Sequence, residues 1–83
     1  MSAYDPLRRY LMASQSDLVV MDFREIEEVN CRPLPSSAHR YPAWWANEEP
    51  DKTTHSHSRA WMLAGYAATP ELLRRRVTFK RQR

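Results

Sequence analysis

The chain has 83 residues, a formal net charge of +3, a sequence pI near 9.4, one cysteine and one glycine. That length suits one small domain over residues 1–83, the lone Cys31 excludes an internal disulfide, and the lone Gly65 excludes a glycine-rich phosphate loop. No run approaches the ~18 apolar residues of a membrane span, and MSAYDPLRRYL has no apolar stretch of the signal-peptide kind, so the expectation is a cytoplasmic protein with no membrane partner.

Asp5-Pro6 is a helix-start signal, because an Asp side chain accepts free N–H groups and Pro fits the first helical position. The helix is expected to end near Ser14, with Leu7, Tyr10 and Leu11 on its docking face and Arg8 and Arg9 outward. Asp17 to Met21 reads as a short strand rich in β-branched residues. Asp22 followed by Glu25 matches a capping box, and Met21 with Ile26 matches the hydrophobic staple across it. A second helix is therefore predicted from Phe23 to about Asn30, with Phe23, Ile26 and Val29 inward and Arg24 paired to Glu28 outside. Pro33 and Pro35 prevent its continuation.

Ser36 is the expected cap of a short third helix that Pro42 terminates. His39 to Tyr66 then holds every tryptophan, every histidine and the glycine, so most of the anchoring aromatic mass lies in about a third of the chain. Ala43 to Ala46 is too short for periodicity to decide its state, although adjacent tryptophans cannot share one face. Asn47 to Thr54 is an acidic loop. A further helix, capped by Ser56 or Ser58, is predicted to reach Ala64 and close on Gly65 in the left-handed conformation. Ala60, Trp61 and Ala64 would face inward, with His57, Arg59 and Met62 at least partly outward. Arg76 to Lys80 alternates strictly, so Val77 and Phe79 are expected in the core of a C-terminal hairpin whose other strand is Tyr66 to Thr69. The connection through Leu72 and Leu73 is left open between hairpin turn and helical turn.

This order predicts an α+β fold of winged-helix-like type, with three to four short helices, a short strand and a C-terminal β-hairpin. The segment of some 25 residues between the second helix and the one starting near His57 is far longer than a usual helix-turn-helix connection. The pieces YDPLRRYL, MDFREIEEVNCRPLPSSAHRYPAWWAN, HSRAWMLAGY and RVTFKR also resemble a family of small uncharacterised bacterial and phage domains, some found beside or fused to restriction and other defence functions. The resemblance covers nearly the whole chain. It implies a single complete domain with HSRAWMLAGY paired to a terminal strand, and it brings no catalytic residue. Where the family pattern has a glycine after the second helix, this chain has Cys31.

Cys31, His39, His55 and His57 match no zinc-ligand spacing, and Glu48, Glu49 and Asp51 in one loop read as a solvated surface rather than paired acid and base. The expectation is no enzyme, no metal and no cofactor. The residues from Arg74 to Arg83 carry six cations and no anion, an electrostatic footprint suited to phosphate. Arg40, His57, Ser58, Arg59, Arg74, Arg75, Arg76, Lys80 and Arg81 are accordingly the candidate nucleic-acid-binding residues, with double-stranded DNA the expected partner of a small regulator or a phage- or defence-associated factor. An alternative role for His57 and Arg59 is to hold the acidic loop. Trp44 and Trp45 are candidates for stacking on bases or for anchoring a protein, and the competing reading is a protein-interaction module. A homodimer suits either reading, since one small reader buries little surface.

Overall fold

The computed structural model describes residues 3–82. Among them, helices α1 (Asp5–Ala13), α2 (Phe23–Asn30), α3 (Ser36–Arg40) and α4 (Ser56–Leu63) accompany strands β1 (Leu18–Asp22), β2 (Tyr66–Glu71) and β3 (Arg76–Arg81). Two 3₁₀ turns, Pro42–Trp45 and Leu72–Arg74, complete the elements. The fold is α+β with a C-terminal hairpin.

The sheet is antiparallel throughout, in the order β1-β3-β2. Its register sets Val19, Phe79 and Ala68 in one cross-strand row and Met21, Val77 and Pro70 in the next. Phe79, Ala68, Met21 and Val77 are buried, so the period-two pattern of β3 fixes which face meets the helices. The opposite face stays open, with Leu18 and Val20 about half exposed. α1 packs on both α2 and α4, and α4 packs on β2. Through the middle run the stacked rings of Phe23, Trp45 and Trp61, whose successive centroids are 5.4 and 5.6 Å apart, with Phe79 tilted against Trp61 at 5.9 Å. These aromatics give a chain this short its buried area.

The capping box of α2 forms as expected: Glu25 N–H donates to Asp22 Oδ1 at 2.7 Å, and Asp22 N–H donates to Glu25 Oε1 at 3.1 Å. Met21 and Ile26 are both buried beside it. At the other end Cys31 adopts the left-handed conformation, φ 55°, and the N–H groups of Cys31 and Arg32 return to the carbonyls of Glu28 and Glu27. That is the Schellman closure a glycine usually provides.

Three expected caps are not made by the expected side chains. Asp5 lies inside α1, and the free N–H of Leu7 is satisfied by Asn30 Oδ1 of α2 at 3.0 Å. A neighbouring helix thus supplies the acceptor. Ser36 begins α3 after Pro35 and makes no side-chain cap bond, because Pro35 already sets the entry. α4 follows His55 without a side-chain cap. Tyr10 is exposed at 46%, since the docking ridge of α1 is only the i, i+4 pair Leu7 and Leu11. β2 runs on to Glu71, two residues beyond its expected end, and the following turn is helical in character. Gly65 closes α4 with φ +87° as expected.

Candidate functional site

The nine basic-surface candidates separate once their partners are known. Ser58 is fully buried, and its hydroxyl donates back to the His55 carbonyl at 3.3 Å, which removes it from any phosphate contact. Arg59 Nη1 donates to the Pro50 carbonyl at 3.1 Å, so this side chain holds the acidic loop. His57 is half-buried, with its ring parallel to that of Trp44 at 4.1 Å. Burial first, and then the neighbouring His55, push its pKa below the usual 6.5.

On the hairpin, Arg76 occupies the middle of an outward row between Asp22 and Glu71. Its Nε lies 2.6 Å from Glu71 Oε2, and that bond holds the Glu71 carboxyl below the ordinary carboxylate range. Arg81 is likewise occupied: its Nη2 donates to Ser14 O at 2.9 Å and to Tyr66 Oη at 2.8 Å. The guanidinium also lies over the Tyr66 ring, and Nε stands 3.2 Å from Asp17 Oδ1. Both arginines hold the fold together.

Arg40, Arg74, Arg75 and Lys80 are exposed, and none makes a side-chain hydrogen bond or ion pair with a described residue. Arg74 and Arg75 share a groove of about 350 Å³ with Phe23, Arg24 and His39. Asp22 and Glu27 also line this groove, and their carboxylates accept from the backbone N–H groups of Glu25 and Leu34. The hairpin tip is fixed to α2 because Arg75, at φ 51°, turns its carbonyl onto the Phe23 N–H at 2.7 Å. The free arginines at the hairpin tip thus stand beside α2. Exposed residues on α4 are Ser56, Arg59 and Leu63, beside a small cavity shared with Asp5 and Arg8 of α1.

The two tryptophans differ as their adjacency requires. Trp45 is 1% exposed, with Nε1 donating to Ala38 O at 2.9 Å, so it cannot stack on a base or anchor a partner. Trp44 is half-buried and lines an open groove of about 340 Å³ with Ser37, Tyr41, Glu48, His55 and His57.

One protein family, described as a domain of unknown function (DUF7662), matches residues 4–83. The chain belongs to this family. No curated protein and no solved structure matches it.

Two polar groupings of this DUF7662 domain have no counterpart in the sequence-based expectations. Asn47 offers its side-chain amide to the edge of β2: Oδ1 accepts from Ala68 N–H at 2.7 Å and from Trp61 Nε1 at 3.0 Å, while Nδ2 donates to Ala68 O at 3.0 Å. Glu48 Oε1 meets His55 Nδ1 at 2.8 Å and accepts from Thr53 Oγ1 at 3.1 Å. The His55 bond is the main reason the Glu48 carboxyl lies below its ordinary range. Through this contact His55 pins the loop to the start of α4. The seven-residue separation of Glu48 and His55 across a loop gives no periodic signal. Among the described residues no three of His, Cys, Asp and Glu are placed to hold a metal ion, and no helix is long and apolar enough to cross a membrane.

Proposed function

We propose that this chain is a non-enzymatic domain that binds double-stranded DNA through its C-terminal hairpin, in the cytoplasm. The observation that carries the reading is the pair Arg74 and Arg75, whose side chains make no hydrogen bond or ion pair with a described residue and whose turn is anchored to α2. With the backbone of the turn already fixed, only side-chain rotamers are lost when these cations meet a phosphate, and Arg geometry suits it. Arg24 adds a third cation on the same groove, since its exposed 3.6 Å contact with Glu28 is weak and easily exchanged. Lys80 on the open sheet face and Arg40, next to the groove-lining His39, are further exposed cations. The strand order and the hairpin after α4 are compatible with a winged-helix-like arrangement in which the wing, rather than the helix, makes the main contact.

Fluorescence anisotropy against a random duplex at two salt concentrations tests this. Binding should weaken steeply with salt, and the double variant Arg74→Ala/Arg75→Ala should lower the salt slope by roughly 2, about 0.9 for each phosphate that is no longer neutralised. No binding at low salt, or an unchanged slope in the double variant, sinks the reading. A second reading, a protein-interaction module, is favoured by the Trp44 groove with its exposed Tyr41. Under it Trp44→Ala weakens capture of a partner and the arginine variant does not. The association with phage or defence functions suggested by the sequence resemblance suits either reading.

A further inference from the structure

The tip of the hairpin bears a side chain that the phosphate contacts do not use. Leu73 is 103% exposed, whereas Leu72 beside it packs against the core. A lone exposed leucine is ordinary, but this one is supported from beneath on both sides. Leu72–Arg74 form one 3₁₀ turn, closed by the Arg75 N–H on the Leu72 carbonyl at 3.1 Å. One foot of the turn is clamped by Glu71 and Arg76, the last cross-strand pair of the hairpin. The other is held by the Arg75 carbonyl on α2. Leu73 is thus held out from the domain in advance, directly before two arginines whose side chains make no hydrogen bond or ion pair with a described residue.

We propose that Leu73 is a wedge that enters the minor groove of double-stranded DNA and parts a base step, with Arg74 and Arg75 on the groove walls and flanking phosphates. The proposal rests on the hairpin reading above. Parting a step is unfavourable and is offset only by contacts whose own ordering cost is small, which the double anchoring of the turn provides. Apolar side chains act as wedges of this kind, and arginine is drawn to the negative potential of the minor groove. Pyrimidine–purine steps unstack most readily, so the chain would prefer TA and CA/TG steps without any hydrogen bond to a base edge. A lipid surface fits less well, since interfacial elements present a broad apolar face and this turn offers one leucine among cations.

The test titrates the whole chain into a duplex carrying 2-aminopurine beside a central TA step, reading anisotropy for binding and 2-aminopurine emission for unstacking. Wild type should raise the emission severalfold at saturation. Leu73→Ala, a surface change that leaves the core intact, should keep the wild-type salt slope and lose most of that rise, and Leu73→Phe should restore it. Binding without a rise, or an equal rise with Leu73→Ala, overturns the wedge and leaves the DNA reading standing. No duplex binding at all overturns both. Leu73-dependent binding to phosphatidylserine-containing vesicles, with no emission change on DNA, also overturns the wedge and assigns the tip to a lipid surface.

Discussion

Cys31 holds a left-handed backbone, φ 55° and ψ 37°, at the end of α2. A Cβ in that region costs roughly 1–2 kcal/mol, while glycine loses about 0.5–1 kcal/mol more chain entropy on folding than other residues. The first effect is the larger, and the thiol's 3.7 Å contact with the Glu28 carbonyl is too weak to reverse it. Cys31→Gly should therefore stabilise the domain by about 0.5–1 kcal/mol, read as a higher urea midpoint at unchanged slope. A lower midpoint would mean that the thiol contributes more than its geometry indicates. The same helix shows what a sequence reveals at this scale. Asp22 and Glu25 are three apart, so their reciprocal bonds follow from local spacing. Asn30 caps α1 across 23 positions, and nothing in its neighbours announces that.

At the scale of elements, Asn47 links three parts of the fold that the sequence separates. Its side-chain amide bonds both backbone groups of Ala68, as a neighbouring strand would, and also accepts from the indole of Trp61 on α4. The acidic segment was legible as a loop, but its role in closing the free edge of β2 was not, because an asparagine before Glu-Glu-Pro reads only as a loop residue. Asn47→Ala removes three hydrogen bonds. Each buried polar group left unpaired costs about 1–3 kcal/mol, but Asn47 itself is exposed and water can replace part of the loss. The expected destabilisation is about 2 kcal/mol, with faster amide exchange at Ala68 than in β3. A change below about 0.5 kcal/mol, the range of ordinary surface substitutions, would show that water serves the edge equally well.

For the molecule as a whole, α2, the inward pattern of Val77 and Phe79 and the Gly65 stop were legible because each rests on a local rule. Which arginines remain available was not, since Arg76 and Arg81 are occupied by groups that only the strand register and the fold bring near. The dependence of stability on pH is also a property of the assembled fold, and His57 and Glu48 set its course. Burial against Trp44, and then the nearby His55, lower the His57 pKa in the folded chain, so the unfolded chain takes up the proton first. The contribution of neutral His57 is therefore fully present above its ordinary 6.5 and is lost as the pH falls from there through the lower folded value. Glu48, held low chiefly by the His55 hydrogen bond, brings a second loss only below its ordinary 4.5. Between about pH 7 and pH 5 the histidine step stands alone of the two, and urea midpoints should fall over that interval. His57→Phe keeps a ring against Trp44 but cannot be protonated, so its midpoints should fall less than those of the wild type. Equal falls in the two proteins would remove His57 as the cause.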